Sequence, residues 1–380
     1  MLETVGRREA AVETVDLAEA AGRVLAVEVV SDRDYPPLDR SIRDGFAVRA
    51  GEMPGAARVA GEVRAGQVYT GEMGAGECVR IMTGAPLPAG ADAVVMVEYA
   101  AVSDGVMRTE KAPVAGEFVN RAGCEARAGE AVLRKGTRLG YAQVAMLATV
   151  GMGRVPVYAR PRVAILATGD EIVPVEATPR PFEVRNSNAW ALAAQVAAAG
   201  GVAEVLPVAP DDLEATAALV ERGLEADLLL LSGGVSAGDY DFVEAALARC
   251  GAVFYFTRVK MRPGAPVVFG RARGRFFFGL PGNPLSTAVT FEVLARAALE
   301  LLGGMAEPEL RMVEARITTT LREKGGLTRF LPAVLGNGVT PIVWKGSSDV
   351  PALAKSNAYI VIAPERDLYE EGTAVPVLVP

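Results

Sequence analysis

Leu228-Leu229-Leu230-Leu231-Ser232-Gly233-Gly234-Val235-Ser236-Ala237-Gly238-Asp239-Tyr240-Asp241 opens as an apolar run of strand length and closes in a Ser/Gly turn that leads, past two Asp, into a helical stretch. A short apolar run bounded by turn residues reads as a buried strand. The pattern recurs on either side. Strand-like Val163–Ala167 ends in Thr168-Gly169-Asp170-Glu171, Val202–Val208 leads to Pro210-Asp211-Asp212, and Phe276–Leu280 leads to Pro281-Gly282-Asn283-Pro284. Helical stretches begin at Ser187, Asp211, Asp239 and Leu285, and a further strand is expected over Val253–Val259. Such alternation over residues 161–305 predicts a mainly parallel αβα three-layer sandwich. In an open α/β sheet, ligands bind outside the carboxyl ends of the strands, so these loops are the place to look for a site.

The flanks are different in kind. Residues 1–45 and 136–160 are expected to form an N-terminal helical linker domain, with an amphipathic helix and a strand from Glu9 to Val30 and a helix from Tyr141 to Met152. Short alternating runs between Gly and Pro turns over residues 46–135 predict an inserted small β domain. It holds a fifth loop of the same character, Arg80-Ile81-Met82-Thr83-Gly84-Ala85-Pro86. Residues 306–380, with strand-like Val313–Thr319 and Tyr359–Ala363, are expected to form a C-terminal β-barrel.

Composition narrows the chemistry. The 380 residues contain no histidine, which removes Ser-His-Asp catalysis and His-ligated metals. Catalysis must rest on carboxylates, a hard metal, basic side chains and backbone N–H groups. A formal charge of −7 argues against general nucleic-acid binding. Cys78, Cys124 and Cys250 lack metal-ligand spacing and read as reduced thiols. With no apolar signal core and no long apolar segment, a cytoplasmic protein is expected and neither export nor a membrane span is.

Each loop has a structural and a functional reading. Ser232-Gly233-Gly234-Val235-Ser236 serves either as a tight turn or as an anion nest of N–H groups. Asp211, Asp212, Asp239 and Asp241 suit helix capping, whereas Asp170, Glu171, Asp211, Asp239 and Asp241 converging on one sheet edge suit Mg²⁺. Arg258, Lys260 and Arg262 would share one strand face, as a cationic surface for an anion or as a solvated edge.

Eight collinear stretches carry a resemblance: SIRDGFAVR (41–49), RIMTGAPLPAGADAVVMVE (80–98), ATGDEIV (167–173), NSN (186–188), LSGGVSAGDYDFV (231–243), RPGAP (262–266), GLPGNPLS (279–286) and SNAYIVI (356–362). From about Leu17 onward the chain resembles the molybdopterin molybdenumtransferase family, called MoeA in bacteria and represented in animals by the E domain of gephyrin. The resemblance implies a multi-domain α/β protein whose central αβα sandwich is of the molybdopterin-binding type. It implies a homodimer with each site shared between subunits, and insertion of molybdate into adenylylated molybdopterin with Mg²⁺, releasing AMP. Molybdopterin adenylyltransferase and molybdoenzymes are possible partners.

By motif, the resemblance assigns Asp44, Thr83, Glu171, Asp211 and Asp241 to catalysis, and Glu171, Asp211, Asp241 and Glu125 to metal. It assigns Thr168, Gly169, Ser232, Gly233, Gly234, Ser236, Arg258, Arg262, Pro281, Gly282, Asn283, Pro284 and Ser356 to substrate. Arg258 and Arg262 stand where the family commonly has Lys, and a guanidinium fork does not hold an oxyanion as a point charge does. Arg40 and Arg43 replace small or apolar residues near Asp44, and Cys124 stands where an acid is frequent. Two other readings are the sister adenylyltransferase activity of the αβα domain and a non-catalytic dimeric scaffold. The first leaves the Asp44 and Thr83 motifs and the C-terminal domain without a purpose; against the second, no partner domain is fused.

Overall fold

The computed structural model describes residues 1–6, 10–234, 242–308 and 310–380. The chain divides into two compact units, one of Met1–Ala26, Lys135–Gly140 and Arg154–Pro380, the other of Val27–Arg134 and Tyr141–Gly153.

The first unit is built on a six-stranded sheet. Its strands are β1 (Arg162–Ala167), β2 (Val202–Val205), β3 (Leu228–Ser232), β4 (Val253–Phe256), β5 (Val268–Ala272) and β6 (Arg275–Leu280), in spatial order β2-β1-β3-β6-β5-β4. The pairs β2-β1, β1-β3 and β3-β6 are parallel, and β5 and β4 continue antiparallel. Alternation sorts the side chains into two cores. Val163, Ile165, Leu228, Leu230 and Phe278 face a layer with Leu192 and Val196 of helix α1 (Ser187–Ala198). Ala164, Leu166, Leu229, Leu231 and Phe277 pack on the opposite face with Val220 of α2 (Leu213–Gly223) and Leu247 of α3 (Phe242–Arg249). Both faces are covered, so the near-continuous apolar strands follow from the parallel sheet.

Beyond β6, α4 (Pro284–Thr290) runs through a π-helical turn at Phe291–Ala295 into α5 (Arg296–Leu302). Arg296 bridges Glu292 at 2.8 Å and Glu300 at 3.2 Å, one turn away on either side, and all three side chains are less than a tenth exposed. The C-terminal region forms another six-stranded sheet, including Met312–Arg316, Thr328–Gly336, Ala358–Ile362 and Ala374–Leu378, and ends its longest loop in α6 (Val350–Lys355).

The second unit carries a six-stranded sheet that includes Gly45–Val48, Glu77–Ile81 and Ala93–Met96, around Phe46, Val48, Cys78 and Val95. Tyr141–Thr149 is helical as expected. Among the described residues no helix is long and apolar enough to cross a membrane.

Three expectations are corrected. No amphipathic helix spans the start of the Glu9–Val30 segment: Val12–Asp16 is a strand paired antiparallel with Arg154–Tyr158, and Val15 opposes Val155. Its β-branched Val12, Thr14 and Val15 suit that pairing, which overrides the helical spacing of the apolar residues. The strand expected over Val253–Val259 stops at Phe256, and its partner is β5, joined to β6 by a two-residue turn with Arg273 at φ 48 and Gly274 at φ 81. Arg258, Lys260 and Arg262 therefore do not share a strand face. Arg258 and Lys260 lie in an irregular loop, while Met261–Arg262 pairs parallel with Thr328–Arg329 in the C-terminal sheet.

Replacing Arg296 with Met leaves Glu292 and Glu300 buried with, among the described residues, only Gln195 and Arg138 as side-chain partners. Breaking a buried ion network from one side costs about 3–5 kcal/mol, so Arg296→Met is expected to lower unfolding stability by about 3 kcal/mol in urea titrations. A loss below about 1 kcal/mol would show that the two carboxylates are accommodated without it.

Candidate active site

Register decides where the loops meet. Ala167 pairs with Ser232, and Ser232 pairs with Leu280, so β1, β3 and β6 end level and release Thr168, Gly233 and Pro281 side by side. The three loops line one cleft of about 750 Å³, together with Glu171, Asp211, Arg185, Asn186, Ser187 and Asn188, and with Ser348 and Val350 from the C-terminal region. Its size and mixed polar lining suit a small-molecule ligand.

The loops are bound to one another. Thr168 N–H donates to the Ser232 carbonyl at 3.1 Å, Gly169 N–H to Ala209 at 3.1 Å and Gly233 N–H to Leu280 at 3.2 Å. Asn188 Nδ2 donates to Ser232 Oγ at 2.8 Å and to the Gly282 carbonyl at 2.7 Å, joining the β3 loop to the β6 loop. Asn188 is a site residue that residue type alone does not mark; its place in the NSN stretch, two residues after the cap Asn186, is the signal the sequence offers. Gly233 at φ 96 and Gly234 at φ 60 adopt backbone that disfavours side chains. A Cβ on Gly233 would also sit 2.8 Å from the Thr168 carbonyl oxygen. The anion-nest reading is narrowed: Gly233 N–H is committed to the sheet, while the N–H groups of Gly234, Gly282 and Asn283, like those of Asp170 and Glu171, have no hydrogen bond among the described residues, and Val235 and Ser236 lie outside them. Pro284 takes the first position of α4, and Asn283 precedes it without a side-chain capping bond.

The carboxylates separate by role. Asp212 caps α2, accepting from Ala215 N–H at 2.8 Å, which leaves the capping reading of Asp211 without support. Asp211 and Glu171 line the cleft, and Asp170 accepts from Asp211 N–H at 3.0 Å. Gly169 at φ 135 gives the Glu171 carboxylate room, because a Cβ there would lie 2.5 Å from Glu171 Oε2. Ser236, Asp239 and Asp241 lie outside the described residues. Among the described residues no three Cys, Asp or Glu side chains gather into a metal-holding group.

Arg258, Arg262 and Ser356 do not line this cleft. Ser356 follows α6 and spends its hydroxyl on the Leu353 carbonyl at 2.7 Å. Ser348 and Val350, at the other end of that helix, are the lining residues, and nothing in their composition set them apart.

In the second unit, Asp44 Oδ1 accepts from both the N–H and the hydroxyl of Thr83, each at 2.7 Å. These bonds, the backbone one first, hold the Asp44 carboxyl below its ordinary range. Glu125 accepts from Arg40 at 2.6 Å and from Asn120 at 2.7 Å. Arg40, one of the departures in the sequence, thus balances that carboxylate.

A mainly parallel αβα sheet with hydroxyl, carboxylate and glycine loops over its carboxyl edge, joined to β domains, defines a multi-domain α/β protein with a polar cleft at its strand ends. Residues 1–151 match the family described as MoeA N-terminal region (domain I and II), residues 164–301 the probable molybdopterin binding domain, and residues 314–379 the MoeA C-terminal region (domain IV). The chain is 35% identical over 389 residues to molybdopterin molybdenumtransferase of Bacillus subtilis, covering 98% of this chain and 90% of the relative. It is 37% identical over 306 residues to the Nostoc protein of that name, covering 78% and 70%. The crystal structure of molybdopterin biosynthesis MoeA protein from Pyrococcus horikoshii OT3 superposes with a TM-score of 0.80 at 29% identity, over 98% of this chain and 96% of that one. The chain belongs to the molybdopterin molybdenumtransferase (MoeA) family, transferases of molybdenum cofactor biosynthesis.

Because the Asp44 pKa is depressed, its carboxylate and the bonds to Thr83 persist above the ordinary Asp range and are lost as pH falls through the lowered value. Thr83→Val removes the hydroxyl donor and keeps the stronger backbone donor. The Asp44 carboxyl titration, followed by ¹³C NMR, is expected to move partway up toward the ordinary Asp value. An unmoved midpoint would eliminate the hydroxyl as a cause.

Proposed function

We propose that this chain inserts molybdenum, supplied as molybdate, into adenylylated molybdopterin with Mg²⁺, releasing AMP and giving molybdenum cofactor. The observation that carries this reading is the cleft itself: three level strand ends whose loops Asn188 and the sheet hold together, lined by two carboxylates and by N–H donors without a partner among the described residues. The family membership supports the same chemistry.

Glu171 and Asp211 would hold the Mg²⁺. The donor set fits, since hard oxygens from one or two carboxylates leave the rest of an octahedral shell to phosphate oxygens and water. Bound there, Mg²⁺ would offset phosphate charge. The protein's own groups do the positioning. The Ser232 hydroxyl accepts from Asn188, so its proton remains for the ligand, and the N–H groups of Gly234, Gly282 and Asn283 offer donors to a phosphate or a pterin carbonyl. Fixed donors of this kind need no reorganisation as charge develops. Asp241, Ser236, Arg258, Arg262 and Ser356 retain their proposed roles from the motifs.

Asp44 and Thr83 belong to a compact unit distinct from that of the cleft. In this reading the protein is a homodimer in which they complete the site of the partner subunit, and Glu125 of the same unit keeps its proposed metal role. It works in the cytoplasm, receiving its substrate from a molybdopterin adenylyltransferase and passing product to molybdoenzymes.

The assay incubates the protein with adenylylated molybdopterin, Mg²⁺ and molybdate, following AMP release and reconstitution of a molybdoenzyme. Both are expected, and release of neither would sink the reading. Glu171→Gln and Asp211→Asn preserve shape and remove charge, so each should cut Mg²⁺-dependent AMP release at least about a hundredfold while the protein stays folded. Near-normal rates at saturating Mg²⁺ would return both carboxylates to a structural role.

Sharing of the site has its own check. Thr83→Trp and Asp211→Asn, each inactive alone, should complement after subunit exchange, with heterodimers recovering up to about half of the wild-type sites. No recovery after verified exchange would place both residues in one chain's site.

A further inference from the structure

Two of the charged side chains lining the cleft are acids, Glu171 and Asp211, and Arg185 alone among the described lining residues carries positive charge. An anionic ligand there meets two carboxylates, so its recognition depends heavily on that single guanidinium.

Arg185 is held by its backbone. Val184–Arg185 pairs parallel with Ile172–Val173, with Val184 N–H donating to the Glu171 carbonyl and Asn186 N–H to the Val173 carbonyl, both at 2.9 Å. The residue therefore stands between the main chain of Glu171 and Asn186, the cap of α1. Its side chain is tied at one point, where Nε donates to the Ala177 carbonyl at 2.9 Å. Among the described residues no carboxylate pairs with it, whereas the neighbouring Arg180 is paired with Glu183. One N–H of five is used, and among the described residues the terminal nitrogens, which would grip two oxygens of a tetrahedral anion, have no partner.

We propose that Arg185 recognises a phosphate group of the ligand in this cleft; the inference rests on the function proposed above. The adenylyl phosphate and the phosphate of the pterin half present the same oxyanion, and separate probes distinguish them.

The experiment titrates AMP, and separately non-adenylylated molybdopterin, into wild-type, Arg185→Ala and Arg185→Lys protein, and measures the molybdate dependence of AMP release for each. Loss of a charge-assisted fork should weaken one phosphate ligand by about tenfold or more, with Lys restoring part of the affinity and the KM for molybdate unchanged. Weakening of AMP identifies the adenylyl phosphate, and weakening of molybdopterin identifies that of the pterin. Unchanged affinity for both, or a shift confined to molybdate dependence, would overturn the inference. Arg185→Gln, which keeps donors without charge, takes the place of the Ala variant should that one fail to fold, and is read against the same outcomes. A wild-type protein that releases no AMP would sink the proposed function, whereas an active wild type with normal AMP and molybdopterin binding in the Arg185 variants would sink this inference alone.

Discussion

The level register of β1, β3 and β6 is the constraint on which the rest depends. Parallel strands pair with evenly spaced bonds, and here Ala167, Ser232 and Leu280 fall on one line across the sheet. A shift of one residue in β3 would turn Leu229 and Leu231 toward the other core and carry the Ser232 loop out of line with its neighbours. The filled cores on both faces, with these leucines fully buried, set that register firmly. Packing energy spent deep in the sheet thus fixes the positions of polar groups at its edge.

Much of this could be read from the sequence because the physical signals were local. Leu228–Leu231 between Asp227 and Ser232-Gly233-Gly234 has one reasonable fate, and the strands on either side of it end in equally clear turns. What escaped was tertiary. Val12–Asp16 finds its partner some 140 residues later, a pairing that no window on the sequence could weigh. Strand β5 did carry a signal, since Arg273-Gly274 between two apolar runs is a two-residue hairpin turn. The cations at 258, 260 and 262 had strand spacing but no strand, because the chain leaves the sheet after Phe256.

The same division holds within the site. Hydroxyl, glycine and acidic residues at strand ends announce a ligand site by type. Which of them is free to act depends on what the fold has already claimed. Asp212 is claimed by α2 and the Gly233 N–H by β6, whereas Asp211 and Glu171 face the cleft. Asn188 is the reverse case, a plain helix-start residue whose two donors become the tie between two loops.

A protein without histidine has few ways to build a polar site that holds its shape. Among the described residues this cleft presents carboxylates, one guanidinium, hydroxyls and backbone N–H donors. Such groups present charge and hydrogen-bond donors in fixed places, which is what recognition of a polar small molecule chiefly requires. Glycine at 169 and 233 serves the same end, since both adopt positive φ and a side chain at 233 would collide with the Thr168 carbonyl. The absence of histidine and the abundance of loop glycine are therefore two sides of one design, in which geometry carries the chemistry.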